Sequence, residues 1–593
     1  MTTTTTKQVP FEAGVSSRRD TLLHLTSSEK ALGAAYGNTG IRGVFKDRYA
    51  LYCSFFAAMG GLLFGIDQGL MSITLVMPQF LRQFPEVDES SGNNAGFNKG
   101  LLTAILELGA IFGAFSSSFI ADRWSRRVAI RTGVTFFIVG SALQTGSIAY
   151  AMLAVGRFIG GIGIGFLSMI APIYISECSP PNVRGVLLVL ESFAIVTGVV
   201  VAYYVTYGTR HIASEWSFRL PFLLQMVPGF VMLASSFVLP ASPRWLAMRG
   251  RYDEGLKSLA KLRQRDQRDV LVQAEWTEIR AEIGAFEESQ AERHPSLATA
   301  ALSPRTRLLS DEVKLAALGW LDTLKPAYLH RTIIAIGLMF FQQLVGINAL
   351  VYYSPTLFET LGLNYEGRLN FSGIVNIMQL VGTTMSFFII DRFGRKPLLV
   401  FGSTGMVIEM VVVAALTAQF SSDWPAHQPA AKAAIAMLNL YMVSYGLSWG
   451  PIAWAAPAEL FPSSMRAKGV AWSVMSNWFF NFIIGLIVPP MLQNIGYGTF
   501  IFFACFAFLS ALFAIFVMKE TRGVPLEAMD RLFHDNSGTR DAMCRDRIKR
   551  NLIDETLNVD PSEDGSNSGG MSAVAPAVSL VESSDAKEKS DVA

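Results

Sequence analysis

Asp67 and Arg157 stand out chemically because each is embedded in an apolar, glycine-rich run, Gly60-Gly-Leu-Leu-Phe64-Gly65-Ile-Asp67 and Gly156-Arg157-Phe-Ile-Gly160-Gly161-Ile-Gly-Ile-Gly165. A charge inside hydrocarbon costs about 2.5–3.5 kcal/mol on insertion scales, so each calls for a reason. Two readings stand. The pair can be a static buried ion pair, or Asp67 can take up and release a proton as Arg157 approaches and withdraws. Both runs have small-xxx-small spacing, which lets helices approach closely and bring carboxylate to guanidinium. Glu107, Glu191 and Glu409 also fall in or near apolar runs. Without an evident partner, Glu107 and Glu409 read as structural or interfacial, and Glu191 stays open.

The second half of the chain offers neutral chemistry instead: Gln342, Gln343 and Asn348 in Phe341-Gln-Gln-Leu-Val-Gly346-Ile-Asn348, followed by Tyr352, Tyr353, Asn376, Asn477 and Asn481. Amides donate and accept without net charge, which suits a neutral ligand whose hydroxyls do both, as a carbohydrate's do. On an ideal helix Asn348 stands roughly 120–140° around the axis from Gln342 and Gln343. Gly346 and Pro355 allow local unwinding that brings the three together. Trp454, close to Gly450-Pro451, offers an apolar platform for a pyranose ring. The competing reading is amide bonding between packed helices.

The elements that must position these residues are membrane spans. Of 593 residues 51% are hydrophobic and 16% charged, a balance that fits lipid better than water as the main solvent. Runs long enough to cross about 30 Å of hydrocarbon begin near Tyr49, Gly100, Val128, Met152, Val186 and Leu220, and again near Arg331, Phe371, Pro397, Ala433, Val470 and Thr499. The expected organisation is an N-terminal tail at 1–47, a six-helix bundle at 48–240, linker helices at 241–329, a second six-helix bundle at 330–520 and a tail at 521–593, largely disordered after Leu532. Bases on short loops gather on the side that also holds the linker and both tails, so the positive-inside rule makes that side cytoplasmic. Asn370-Phe-Ser372 is a glycosylation sequon close to a span start on the other side.

An internal repeat relates the halves. Asp122-Arg123-Trp-Ser125-Arg-Arg127 closes the second span and Asp391-Arg392-Phe-Gly-Arg395-Lys396 the eighth; Glu177 precedes Arg184 as Glu459 precedes Arg466. Parallel repeats of this size build one major class of secondary transporter, in which the solute sits at mid-membrane between rocking halves. The acid and base clusters read as salt bridges that hold the inner helix ends together in one state and part in another. Setting topology is their alternative role.

Other functions find no support. A net charge of +2 and the lack of a basic, aromatic-interleaved stripe exclude a nucleic-acid surface. The four cysteines show no metal or disulfide spacing. The glycines at 160–165 are too dense for a dinucleotide fingerprint and lie in an apolar span; no P-loop is present. No enzyme site, metal or cofactor is expected, and a monomer suffices.

Taken together, Gly61-Leu-Leu-Phe64-Gly65 with Asp67, Arg157-Phe-Ile-Gly-Gly161, Ser242-Pro-Arg-Trp-Leu246, Gln342-Gln343-Leu-Val-Gly346-Ile-Asn348 and Glu520-Thr-Arg-Gly523 closely resemble the sugar porter family of the major facilitator superfamily, most nearly its fungal members, from about Tyr49 to Asp530. The resemblance implies an all-α membrane protein of twelve transmembrane helices in two parallel six-helix repeats. It implies a sugar site at Gln342, Gln343, Asn348, Asn376, Trp454 and Asn477 or Asn481, to which Phe64, Ser192 and Tyr352 are added. Gating salt bridges are assigned to Asp122, Arg123, Arg127, Glu177, Arg184, Asp391, Arg392, Arg395, Glu459, Arg466 and Glu520. An acid at Asp67 matches proton-coupled members, whereas passive facilitators tend to have Asn there. The expectation is monosaccharide:proton symport at the plasma membrane, with passive facilitation and sugar sensing as alternatives. Three departures are visible: Glu191-Ser192 stands where many relatives place a sugar-binding Gln, Ala241 stands in place of Glu in Pro240-Ala-Ser-Pro-Arg244, and Ser125 replaces a Gly.

Overall fold

Long apolar runs form helices here because a backbone in hydrocarbon must satisfy its own hydrogen bonds. The computed structural model describes residues 15–27, 29–37, 48–88, 94–298, 308–462, 465–521, 533 and 537–558. Eleven helical stretches among them are long and apolar enough to cross a membrane: Arg48–Thr74, Ala95–Arg123, Arg126–Thr145, Tyr150–Cys178, Leu190–Thr209, Trp216–Val238, Pro326–Thr360, Arg395–Phe420, Pro425–Leu460, Arg466–Ile495 and Gly498–Phe516. The helix Tyr365–Phe393 takes the eighth position and completes twelve spans. It starts before Phe371, where the apolar run begins, because polar end turns extend a helix past its apolar part.

Two breaks shape the second half. The seventh span is interrupted at Gly346, whose φ of +103° suits glycine, and a second helix runs Ile347–Thr360. The tenth divides at Ser448 into Gln428–Leu447 and Trp449–Leu460.

Glycines set the packing within the first half. A β-carbon at Gly65 would overlap the Ile195 carbonyl of the fifth span, and one at Gly161 the Leu106 carbonyl of the second. Gly61, Gly65 and Gly69 therefore dock span 1 on span 5, and Gly161 and Gly165 dock span 4 on span 2, while Gly60 faces Leu167 and Ala171 of span 4. The long Arg157 side chain also bridges spans 1 and 4.

The halves meet most fully on the side away from the linker, the far side. Leu70, Ile73, Phe80, Tyr203 and Phe218 there share one hydrophobic cluster with the second half. Tyr203 donates to the Leu369 carbonyl at 2.6 Å, Tyr207 to Asn370 Oδ1 at 2.9 Å, and Arg210 forms two 2.8 Å bonds with Glu366. The sequon Asn370 thus lies inside the eighth helix, against the fifth.

On the linker side, helices run Pro243–Met248, Tyr252–Arg263, Val270–Arg293 and Leu309–Asp322. Glu312 accepts from Arg123 at 3.0 Å and from Arg249 at 2.7 Å, fastening the linker to the second span. The tail beyond Leu532, which reads as disordered, contains the helix Ser537–Asn558. Tertiary partners account for the difference: Ile553 is buried with Leu22, Leu32 and Ala274, Arg540 pairs with Glu292, and Lys549 with Glu278.

Candidate functional site

The geometry begins with the charge pair. Arg157 Nη1 lies 3.4 Å from each carboxylate oxygen of Asp67, and both side chains are fully buried. Its Nε donates to the Leu102 carbonyl at 2.7 Å and its Nη2 to the Thr103 carbonyl at 3.5 Å, both on the second span. The guanidinium therefore has a resting place whether or not Asp67 carries charge. That is the arrangement a proton-dependent contact requires.

The break at Gly346 turns Asn348 back toward Gln343. Asn348 Nδ2 donates to Gln343 Oε1 at 2.5 Å and to Asn481 Oδ1 at 2.7 Å. Gln342 is used separately: its amide nitrogen donates to the Trp449 and Gly450 carbonyls at the tenth-span break, each at 3.1 Å, and its oxygen accepts from Asn477 at 2.6 Å. Gln343, Asn348 and Asn481 form one amide cluster, with Gln342 and Asn477 as a second. Asn376 is fully buried, and among the described residues neither of its side-chain polar atoms nor Asn481 Nδ2 has a hydrogen-bond partner. A buried unpaired amide costs about 1–3 kcal/mol, so these are the groups with hydrogen-bonding capacity to offer a solute.

Aromatic residues lie between the halves. Phe64 meets Trp478 edge-on at 5.0 Å, and Trp454 packs against the hydrophobic clusters of both halves. Ser192 is half-buried beside the buried Glu191, and among the described residues no hydrogen bond joins it to the amides. The Tyr352 hydroxyl is engaged elsewhere: it accepts from Gln68 Nε2 at 2.9 Å and donates to Glu107 Oε1 at 2.5 Å. Glu107 is thus an interfacial group, in keeping with its reading as structural or interfacial, and the partner that the sequence did not reveal is Tyr352 of the other half. Glu409 accepts from Ser444 at 2.8 Å, within the second half. Gln68 escaped the sequence reading, although a polar residue next to Asp67 in an apolar run was signal enough.

Among the described residues the linker-side ion pairs named here lie within each half, while Lys468 of the second half donates to Ser118 of the first at 3.4 Å. Arg126 is the hub of the first half, 2.8 Å from Asp122 and 3.0 Å from Glu177. Arg127 instead donates to the Leu239 carbonyl at 3.1 Å. In the second half Arg395 pairs with Glu459 at 2.9 Å, while Glu520 accepts from the backbone N–H groups of Arg395 and Lys396, each at 3.0 Å. Arg392 is exposed and Arg466 half-buried at the head of the eleventh span. The side chains of Arg184 and Asp391 lie outside the described residues. Arg126 was missed because three arginines crowd this loop, and only packing selects the one that faces Glu177.

The sugar (and other) transporter family model matches residues 53–533. High-affinity glucose transporter 1 of Candida albicans is 31% identical, with 82% of this chain and 86% of that protein covered. Sugar transport protein 10 of Arabidopsis thaliana is also 31% identical, over 80% of this chain and 89% of that one. Among solved structures, the proton:xylose symporter XylE bound to 6-bromo-6-deoxy-D-glucose superposes with a TM-score of 0.65 at 26% identity, covering 82% of this chain and 99% of that chain. Twelve spans in two repeats, a buried carboxylate–guanidinium pair in one half and an amide cluster in the other agree with these matches: the chain belongs to the sugar transporter family of the major facilitator superfamily.

Proposed function

We propose that the protein carries a monosaccharide, hexose or pentose, across the plasma membrane by alternating access and couples each cycle to proton entry, with the linker side facing the cytoplasm. The observation that carries this reading is the fully buried Asp67–Arg157 contact, in which the guanidinium has backbone acceptors of its own. The amides at Gln343, Asn348, Asn376 and Asn481 supply a neutral binding surface. The names of the relatives, glucose transporter and proton:xylose symporter, support both the sugar and the ion. One proton entering down 100 mV supplies about 2.3 kcal/mol, enough for roughly a fiftyfold sugar gradient.

The test is uptake of a panel of labelled sugars into transporter-deficient cells, with and without a protonophore, for wild type and Asp67→Asn. Accumulation against the gradient that collapses with the protonophore and in the variant supports symport through Asp67. Saturable uptake indifferent to both makes the pair structural and the protein a facilitator. Failure of every sugar to enter overturns the substrate class.

A further inference from the structure

Glu107 and Gln68 remain unused by the proposed function, yet they join its two parts. Gln68 follows Asp67 on the first span. Glu107 lies about one turn along the second span from Leu102 and Thr103, whose carbonyls hold Arg157. Both side chains reach into the other half to the same hydroxyl, that of Tyr352, one helical turn from Asn348. Gln68 Nε2 also approaches Asn348 Oδ1 at 3.5 Å. A hydrogen-bonded path thus runs from Glu107 through Tyr352 and Gln68 to the Asn348 cluster, with the charge pair electrostatically coupled to Glu107 and adjacent in sequence to Gln68.

Glu107 is fully buried, and its Oε2 has no hydrogen-bond partner. The ionisable groups around it are Asp67 and Arg157, from the first and fourth spans, and Tyr352 and Tyr353, from the seventh. A carboxylate so placed is a poor packing choice, since an apolar side chain of similar volume is often neutral or stabilising at such a site. Its geometry is that of a cross-half contact.

We propose that Glu107, Gln68 and Tyr352 form a latch between the halves that transmits the state of the Asp67–Arg157 pair to the amide cluster, so that the far side opens only when the latch releases. The proposal rests on the symport reading above. Loss of the Asp67 contact leaves Arg157 held by the second-span carbonyls alone, which frees the first span to move relative to the second and so shifts Gln68 against Glu107. Tyr352 is freed, and the half-helix carrying Asn348 moves with it.

The experiment follows thiol labelling of a cysteine at Leu369, fully buried at the far-side seam, in purified protein whose Cys505 and Cys544 are replaced by serine. Tyr352→Phe and Glu107→Ala are each expected to raise the labelling rate at least fivefold. Their combination labels no faster than the faster single variant, because both break one contact. Glu107→Gln, which keeps an acceptor for the hydroxyl, labels more slowly than Glu107→Ala. Asp67→Asn alone also accelerates labelling, and Tyr352→Phe adds nothing in that background. Unchanged rates, or single effects that multiply, overturn the latch; an Asp67→Asn rate equal to wild type overturns its link to the charge pair. Should Glu107→Ala fail to fold, Tyr352→Phe, which removes only the hydroxyl, carries the test alone. Labelling requires no transport, so protonophore-insensitive uptake would overturn the symport reading separately.

Discussion

The two halves are nearly alike at their linker-side ends and unlike at mid-membrane. At the ends, each half sets an arginine from the loop between its second and third helices against a glutamate at the end of its fourth: Arg126 on Glu177, Arg395 on Glu459. Arg127 and Lys396 each donate to a carbonyl near the end of the sixth helix of their own half, at Leu239 and Ile515. At mid-membrane the first half holds the buried ion pair, Asp67 with Arg157, and Glu107 beside it, whereas the second holds the amide cluster and a single buried acid among the described residues, Glu409, bonded to Ser444. The shared features are those any six-helix bundle needs to anchor its ends. The unshared ones place a charge pair in one half and neutral amides in the other, the division that the proposed symport would use.

The ends also differ in one detail. In the second half the ninth span follows Gly394, at φ +97°, and is capped by the Glu520 carboxylate. Where Glu520 would recur in the first half stands Ala241, and Ser125, in the place of Gly394, turns its own hydroxyl to accept from the Arg127 N–H at 3.2 Å. Two departures from the family pattern therefore compensate one another: the missing carboxylate is replaced by a local hydroxyl cap.

The comparison can be broken most forcefully at the hubs. Arg126→Ala removes the cation that pairs directly with both Asp122 and Glu177, in a site where the Arg126 side chain is 7% and that of Glu177 5% exposed, so a loss of about 3 kcal/mol is expected. Arg395→Ala, facing a Glu459 that is 29% exposed, should cost about 1 kcal/mol. Thermal melting of the two variants tests the order; equal shifts would show that burial does not distinguish the halves.

At mid-membrane Asn376 offers a separation of roles. Because it has no partner among the described residues, Asn376→Leu is expected to leave melting unchanged or raise it, while the apparent KM for sugar rises about tenfold, equivalent to about 1.4 kcal/mol. Unchanged KM with lower stability would assign Asn376 to packing.

The caps sharpen the comparison further. Glu520→Ala should cost about 1–2 kcal/mol, with two backbone donors orphaned, and Ser125→Ala about 0.5–1 kcal/mol. Introducing Ala241→Glu into Ser125→Ala tests the compensation: recovery of the melting temperature shows that the two caps are interchangeable.

The smallest effect concerns pH. Burial raises the Asp322 carboxyl, but hydrogen bonds from Lys325 and His294 and their charges outweigh it and hold the group below its ordinary range. A carboxyl depressed in the fold stabilises above its unfolded pKa, and that contribution is lost as pH falls through the folded value. Proteolysis of the linker should therefore accelerate on acidification below about pH 4 in wild type and respond less in Asp322→Asn. Equal acid responses would remove Asp322 from the linker's anchorage.

Much of this was legible in the chain. The apolar runs located the spans, because hydrocarbon selects residue by residue for apolar side chains and regular helix. The Gly346 interruption followed from glycine's freedom at positive φ and the angular mismatch of the amides, but the expected convergence of all three amides did not: of the two glutamines Asn348 joins Gln343 alone, and Gln342 turns to the tenth-span break and Asn477. The tail was not legible: Ser537–Asn558 is mostly polar, and its few apolar residues, Ile553 among them, gain a buried setting only against Leu22, Leu32 and Ala274, beside acids of Val270–Arg293 that pair with its bases.

The sequence by itself determined which segments leave water, that they repeat, and which residue types are too costly to sit in a membrane without a reason. Those are local properties of side chains and backbone. Only the tertiary structure decided partnership: that Arg126 rather than Arg127 meets Glu177, that Gly61, Gly65 and Gly69 of span 1 face span 5, and that Glu107 meets Tyr352, 245 positions away. A hydrogen bond or ion pair depends on a few ångströms between helices remote in the chain, and that distance is set by how whole spans pack.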